Sequence, residues 1–260
     1  EPGVLRMPLD IAQAVCDEAH KLGLRTSAHI ESTEGVKVGL KAGVDTIEHG
    51  APLTDELLKL FKKNGLGNAS SLTCTLSPAL PFAVLSPEKT HSTHVQKVNG
   101  RVVYEGVATA TRQALANGIP VGLGTDSACP FVTHYDMWRE VVYFQRHTGV
   151  THEFALHTAT LKNAQLLGVA NETGSIETGK SADFIVLDVN PLDDLCALRN
   201  VEQVYMAGKP VKYKAKHLPK IDAELDGIMD GLDNDPFVSE WNIAGEKKSL
   251  NPFAKRGAKE

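Results

Sequence analysis

The chain has 260 residues, of which 42% are hydrophobic and 23% are charged, and its formal net charge is -5 at pH 7. This composition is ordinary for a globular protein, and the negative net charge argues against a nucleic-acid partner, which requires clustered Lys and Arg. No apolar run approaches the roughly 20 residues that a membrane helix needs, so no membrane partner is expected. The four cysteines are far apart and form no CxxC pair, which argues against a disulfide scaffold or a cysteine-rich zinc site.

The first half of the sequence repeats a helix, a glycine and a short apolar strand. Helices are predicted over residues 8–23, 33–43, 54–65 and 101–118, and strands over residues 24–30, 44–50, 66–74 and 119–126. Successive units of this kind predict an α/β fold in which parallel strands are joined by right-handed crossovers. Such folds place their chemistry at the carboxyl ends of the strands, at a barrel rim or at the switch point of an open sheet.

The pattern changes after Asp126. Further helices are predicted over residues 134–149 and 151–169, and antiparallel strands with glycine-containing turns within residues 174–188 and 200–212. These strands indicate a small β unit beside the parallel sheet. The charged tail that begins at Lys214 predicts a surface helix followed by an extended arm.

Three polar side chains stand at predicted strand ends. His29 and His49 each follow a helix-ending glycine by six residues, and Asp126 ends the strand in the string GLGTDS. Two imidazoles and a carboxylate on rigid strand ends form the nitrogen and oxygen donor set that suits a Zn²⁺-type ion. Their repeated placement favours a metal site over three separate structural residues.

Several strings of the sequence resemble the amidohydrolase superfamily. SAHIES, AGVDTIEHG and GLGTDSA are similar to its fifth, sixth and eighth barrel strands, and the stretch from ALHTATLKNAQLLG to FIVLDVNPL resembles its last barrel helix and the return into its β-sandwich. The likeness runs from about residue 4 to about residue 212 and is greatest to the imidazolonepropionase-like and prolidase-like branch. It implies an α/β fold with the C-terminal half of a (β/α)8 TIM-like barrel, strands five to eight, over residues 1–170. Residues 171–213 would form part of a small β-sandwich, and residues 214–260 a charged tail.

The resemblance also implies roles for the three polar side chains. His29, His49 and Asp126 would be metal ligands, and Asp126 would in addition be the catalytic general base. The cofactor would be a divalent metal, with zinc favoured and one or two ions in the complete protein. A bound ion lowers the pKa of a water molecule to about 7, and Asp126 would pass the proton of that water to a leaving amine. The reaction implied is hydrolysis of a C–N bond in a small-molecule or dipeptide-like substrate, or in a cyclic amide.

Two further side chains are candidates for substrate binding. His134 follows Asp126 closely, and Tyr104 lies early on the predicted helix 101–118. A solvated loop and a helix face are the structural alternatives for these two residues. Glu48 is predicted to point to the opposite side of the strand from His49, because side chains alternate along a strand, and so to be structural.

The sequence departs from the family pattern at its N-terminal side. The family carries a His-x-His pair on its first strand, and in binuclear members a carboxylated Lys on its fourth, whereas this chain has no His-x-His. Barrel strands one to four are therefore predicted to lie outside the chain, which would need that N-terminal half as its partner. Half of a parallel barrel would have two unpaired edges and an apolar interior. We therefore expect the 260 residues by themselves to be inactive and poorly soluble.

Two alternatives to an amide hydrolase remain open. One is a mononuclear deaminase of the same superfamily, and the other is a non-catalytic homologue that has lost its metals, which metal content would reveal. The N-terminal residues do not resemble a signal peptide, but any leader would precede Glu1, so the location stays open, with a cytoplasmic one favoured. A homo-oligomer is also left open.

Overall fold

The structure is a computed structural model that describes residues 3–62, 69–212 and 215–243. It consists of two compact units, Glu1–Val121 and Gly122–Glu260. The division of the sequence after residues 170 and 213 stays a prediction. No helix in the three described ranges is long and apolar enough to cross a membrane.

Helices and short strands alternate through the first unit, and helices precede a small sheet in the second. The α-helices are α1 (Leu9–Lys21), α2 (Thr33–Ala42), α3 (Asp55–Phe61), α4 (Leu80–Val84), α5 (Pro87–Thr90), α6 (His94–Ala116), α7 (Met137–Thr148), α8 (His152–His157), α9 (Asn163–Leu167), α10 (Pro219–Gly231) and α11 (Pro236–Ile243). The strands are β1 (Ser27–Ile30), β2 (Thr46–His49), β3 (Ser71–Cys74), β4 (Val121–Leu123), β5 (Phe184–Leu187), β6 (Val201–Met206) and β7 (Lys209–Pro210). A π-helical turn (Thr158–Lys162) joins α8 to α9, and 3-10 turns cover Leu195–Arg199 and Leu232–Asn234.

The first four strands form one sheet in the order β1-β2-β3-β4. Strand β2 pairs in parallel with both β1 and β3. The N–H group of Leu72 in β3 donates to the carbonyl of Pro120, just before β4, at 2.9 Å. Because a helix connects each strand to the next, the expected α/β fold with parallel strands is confirmed. That these are strands five to eight of a barrel stays a prediction.

One face of this sheet is apolar and packs against helices. Ile30, Ile47 and Leu72 lie on this face and are buried. Helix α2 approaches them closely, since a Cβ atom added at Gly39 would lie 2.7 Å from Cδ1 of Ile30. Burial of these three branched side chains stabilises the sheet.

The opposite face of β1, β2 and β3 is polar, and the apolar interior expected of a half barrel stays a prediction. Residues paired across parallel strands share a face, because side chains alternate along each strand. The register therefore puts the following side chains on this face: Ser27, His29, Thr46, Glu48, Ser71 and Thr73. Hydrogen bonds link them across the strands, from Ser27 Oγ to Glu48 Oε1 and from Ser71 Oγ to Thr46 Oγ1. This face is chemically equipped to bind polar ligands.

Local capping explains where two of the helices begin. Ser32 Oγ accepts the N–H of Gly35 at the start of α2. At the start of α6, Thr93 and Gln96 form a reciprocal capping box, in which each side chain accepts the other's backbone N–H. Helix α6 therefore begins at His94 rather than at the predicted residue 101, and the Thr-x-x-Gln signal was present in the sequence.

The second unit contains the predicted antiparallel strands. Strand β6 pairs antiparallel with β5 and with β7, which confirms the small β unit. The helix predicted over residues 151–169 ends at Gly168, which has φ 81°, as expected. It is interrupted by the π-helical turn, which the sequence did not predict. In the tail, α10 buries Leu225 and Ile228, whereas the predicted extended arm falls on residues 244–260, outside the described ranges.

The buried carboxylate of Asp45 stabilises the first unit. Asp45 Oδ2 accepts hydrogen bonds from Thr26 N and Oγ1 at 2.7 and 3.0 Å and pairs with His20 Nε2 at 2.8 Å. Removal of one member of a buried charged cluster leaves its partners without their acceptor. We expect Asp45→Ala to lower the free energy of unfolding by about 3 kcal/mol. The exposed Asp17, changed to Ala, should alter it by less than about 0.5 kcal/mol. Chemical denaturation of the intact gene product measures both, and equal losses would contradict this role of Asp45.

Candidate metal centre

His29 and His49 lie side by side at the carboxyl ends of neighbouring strands. Ile30 of β1 is the Cα partner of His49 of β2, so the two histidines are one residue out of register. Their imidazole rings are in edge-to-face contact, with ring centroids 4.8 Å apart and an interplanar angle of 77°. The His29 side chain is exposed, whereas His49 is buried. The two histidines are therefore in contact in the fold, whereas a metal site that they share with Asp126 stays a prediction.

The backbone after β2 turns sharply, and this turn is what allows the contact. His49 has φ 68° and Gly50 has φ 86°, both in the left-handed region. Simple alternation would put His49 on the apolar face with Ile47, but its left-handed conformation ends the pleat at that residue. Left-handed conformations at residues other than glycine are costly and concentrate at functional sites.

Gly50 fixes the turn to the neighbouring strands. Its N–H donates to the carbonyl of Ile30, at 2.9 Å. A Cβ atom at this position would lie 2.6 Å from Cδ1 of Leu72, so a side chain does not fit. The glycine in the string IEHG is thus required both by its conformation and by the close approach of β3.

Glu48 is a neighbour of the pair that the sequence analysis treated as structural only. It is the Cα partner of His29 and shares the polar face with it, and Ser27 Oγ donates to its carboxylate at 2.5 Å. The expected alternation between Glu48 and His49 was sound for a regular strand. Glu48 nevertheless lies beside the histidine pair, because His29 on β1 faces the same side of the sheet as Glu48.

The two imidazoles fit part of the ligand shell of a divalent ion. Zinc–nitrogen bonds of about 2.0–2.1 Å bring two coordinating rings as close together as these are. Within the described ranges, no group of three or more His, Cys, Asp or Glu side chains is arranged to hold a metal ion. The first unit therefore brings two imidazoles together, and their binding of a metal ion is a matter of proposal.

Asp126 belongs to the second unit, where it follows β4. It is exposed, has φ 54°, and its Oδ2 atom accepts a hydrogen bond from the thiol of Cys129 at 3.2 Å. Burial raises the pKa of the Cys129 thiol, and the hydrogen bond and charge of Asp126 raise it further. The thiol therefore remains a protonated donor to this carboxylate at neutral pH. The roles of Asp126 as a third metal ligand and as the base stay predictions.

The side chain of Asn163 hydrogen bonds to β4, the strand that leads into the segment that carries Asp126. Its Oδ1 atom accepts the N–H of Leu123, and its Nδ2 atom donates to the carbonyl of the same residue, both at 2.9 Å. The amide thus bonds to the strand as another strand would. Gly122 allows the approach, since a Cβ atom there would lie 2.8 Å from Oδ1 of Asn163. No signal in the sequence analysis identified this residue.

The two weaker candidates occupy different environments. His134 is exposed, in the loop between β4 and α7, where a ligand can reach it. Tyr104 is fully buried on α6, and the guanidinium of Arg101 lies 5.3 Å from its ring centroid. Such burial is typical of a packing residue. Contact of either side chain with substrate stays a prediction.

Comparison with known proteins assigns the family. The model of the amidohydrolase family matches residues 2–211. The chain belongs to the amidohydrolase family. The resemblance stated from the strand-end strings is thereby confirmed, including the branch that contains imidazolonepropionase and prolidase-like proteins.

Several relatives of known structure or assigned activity are similar to this amidohydrolase. A prolidase-like protein from Bifidobacterium longum is 44% identical with a TM-score of 0.85, over 88% of this chain and 57% of its own. A Xaa-Pro dipeptidase solved with methionine in its active site is 29% identical with a TM-score of 0.70, over 81% of this chain and 50% of its own. The imidazolonepropionase of Streptococcus sanguinis is 27% identical over 212 residues, 78% of this chain and 44% of its own. The chain therefore spans about half the length of these relatives.

We expect Asn163→Ala to destabilise the second unit of this amidohydrolase. Two hydrogen bonds to Leu123 are lost, and the strand's backbone groups lose their partner, so the free energy of unfolding should fall by about 2 kcal/mol. Gln165→Ala, two residues further along α9, is the matched control and should change it by less than about 0.5 kcal/mol. Chemical denaturation followed by circular dichroism measures both. If the two variants unfold alike, Asn163 does not hold the strand.

Proposed function

We propose that this amidohydrolase is a metal-dependent hydrolase that cleaves a C–N bond, and that the ring pair of His29 and His49 is part of its metal site. The observation that carries the proposal is the contact of two imidazoles at the carboxyl ends of adjacent parallel strands, with ring centroids 4.8 Å apart. Strand ends of this kind are where α/β folds carry their chemistry. Membership of the amidohydrolase family supports the reaction type.

His29 and His49 would hold the ion through ring nitrogens, and Asp126 would add a carboxylate oxygen. Nitrogen and carboxylate donors accept several divalent ions, among which zinc is favoured for a hydrolase. When bound, such an ion lowers the pKa of water to about 7 and polarises a carbonyl group. In this proposal the four parallel strands are strands five to eight of a (β/α)8 barrel, and further ligands complete the shell.

Asp126 would act as the general base. Its carboxylate would accept a proton from the attacking water and transfer it to the leaving amine, which departs as a neutral group. The thiol of Cys129 donates to Oδ2 of this carboxylate, which leaves Oδ1 for the proton transfer. His134, exposed on the same loop, would contact the substrate.

The substrate class follows from the relatives and stays broad. The prolidase-like and Xaa-Pro dipeptidase relatives favour a dipeptide-like amide whose products are amino acids. The imidazolonepropionase favours a cyclic amide. The polar face that carries His29, Glu48 and Ser27 suits either substrate, because both carry polar and charged groups. The expectation that the 260 residues by themselves are inactive and poorly soluble stays a prediction, which soluble, active expression of them would contradict.

The metal ligands are tested by metal content. We expect His29→Ala and His49→Ala, each introduced into the intact gene product, to lower the bound metal measured by elemental analysis. His152→Ala is the matched control, since His152 on α8 bonds to the carbonyl of Leu192, and it should leave the metal content unchanged. Unchanged stoichiometry in both ligand variants would overturn the assignment. Absence of any divalent metal from the unaltered protein would favour a non-catalytic homologue.

The base is tested by turnover. We expect Asp126→Asn to lower kcat by about 10²- to 10⁴-fold, because the amide cannot accept the proton. Assays that measure release of amino acid from a panel of Xaa-Pro dipeptides and N-acyl amino acids check this, with Asp193→Asn as a surface control. Near-normal turnover of Asp126→Asn would refute the assignment. Release of ammonia from an amino-substituted heterocycle, without amide cleavage, would identify a deaminase instead.

A further inference from the structure

We propose that the C-terminal segment, residues 215–243, positions the loop that carries Asp126 and His134, and that Tyr135 is the residue through which it acts. We call residues 124–136, between β4 and α7, the Asp126 loop. The family match ends at residue 211, before this segment begins. Both parts belong to the second unit, and their contacts are direct.

Tyr135 is bound by three residues of the C-terminal segment. Its hydroxyl donates to Asp222 Oδ1 at 3.0 Å and accepts the backbone N–H of Leu218 at 2.8 Å. Its ring lies against the imidazole of His217, with centroids 4.2 Å apart. His217 Nδ1 in turn lies 3.2 Å from Asp222 Oδ2. The hydroxyl therefore donates one hydrogen bond and accepts another, to Asp222 and from Leu218. Phenylalanine has no hydroxyl and could make neither bond.

The C-terminal segment is itself anchored firmly to α7. Arg139, whose side chain is 3% exposed, pairs with Asp226 at 2.7 Å. Arg199 pairs with the second oxygen of the same carboxylate at 2.9 Å. Arg146 donates to the carbonyl of Met229 at 2.6 Å. The attachment therefore combines the ion pair of a buried arginine with further charged hydrogen bonds. Together these contacts are stronger than a single surface salt bridge.

The restraint at Tyr135 extends along the Asp126 loop through hydrogen bonds inside the loop. Thr133 Oγ1 donates to Asp136 Oδ2 at 2.8 Å, which braces the residues on either side of Tyr135. On the N-terminal side of Thr133, the N–H of Val132 donates to the carbonyl of Cys129 at 3.0 Å, and the Cys129 thiol donates to Asp126. The tethered end of the loop is therefore connected to the carboxylate by successive short contacts.

The backbone of the Asp126 loop needs such support. Asp126, Ala128 and Phe131 all have positive φ angles, of 54°, 86° and 66°. Residues other than glycine persist in this region only where the surrounding structure holds them there. A loop of this kind would relax if its tether were removed, and the orientation of Asp126 would relax with it. Tyr135 is thus a positioning residue, and its effect on turnover rests on the proposed function.

The tether is tested first without reference to activity. In the intact gene product we expect Tyr135→Phe to speed amide hydrogen exchange in residues 124–136 by about 5- to 10-fold, because two hydrogen bonds are lost. Tyr205→Phe is the matched control, since the Tyr205 ring stacks on Phe184 within the β5–β6 pair, and it should leave this loop unchanged. Unchanged exchange in Tyr135→Phe would overturn the proposal, whether or not the protein is a hydrolase.

Two changes at Asp222 separate the hydrogen bond from packing. Asp222→Asn retains an oxygen that can accept from the Tyr135 hydroxyl and should keep exchange near that of the unaltered protein. Asp222→Ala retains no acceptor and should speed exchange, but by less than Tyr135→Phe, because the N–H of Leu218 still donates to the Tyr135 hydroxyl. If Asp222→Asn speeds exchange as much as Asp222→Ala does, the hydrogen bond between Tyr135 and Asp222 is not the tether.

The consequence for catalysis is tested separately. We expect Tyr135→Phe to lower kcat by about 10-fold, with less change in KM, because the base is displaced rather than removed. Faster loop exchange with normal kcat would overturn the catalytic part of the proposal. If the unaltered protein lacks hydrolase activity, the proposed function fails, and the exchange experiment still decides whether the C-terminal segment holds the loop.

Discussion

The contact between the imidazoles of His29 and His49 depends on the pairing of two parallel strands. Each histidine ends a strand, and the register brings His49 opposite Ile30, one residue past His29. A slip of one residue would move every side chain of β2 to the other face. The left-handed backbone at His49 and the close fit of Gly50 against Leu72 then direct the ring toward its partner. The proposed metal chemistry relies on this geometry.

The parallel sheet separates an apolar face from a polar one. On the helix side, Ile30 and Ile47 are buried, and their burial stabilises the strands. On the other side, Ser27, Glu48 and His29 are neighbours that hydrogen bond or remain open to ligands. Strands β1, β2 and β3 therefore form both a rigid support and a polar surface. Rigid strands are better supports for a metal site than loops, because they hold ligand positions closely.

The second unit holds the Asp126 loop by side chains from distant parts of the chain. Asn163 bonds to both backbone groups of Leu123 and fixes the beginning of the Asp126 loop, and Tyr135 fixes its end. Between these two points the loop adopts strained conformations that local sequence would not favour. The C-terminal segment that binds Tyr135 lies beyond the family match, which ends at residue 211.

The sequence by itself determined the α/β pattern, the parallel strands, the antiparallel strands that follow and the histidines at strand ends. These features depend on local rules: apolar periodicity, glycine at helix ends and the alternation of side chains. The sequence did not predict the polar face of β1, β2 and β3, the π-helical turn at Thr158–Lys162, the pairing of Glu48 with His29 or the two hydrogen bonds between Asn163 and Leu123. Only the tertiary structure decided these, because each depends on which residues of separate segments become neighbours. His49 shows this most clearly. Alternation assigned its side chain to the apolar face of the sheet. Its left-handed backbone, supported by Gly50 and β3, brings the ring into contact with His29 instead.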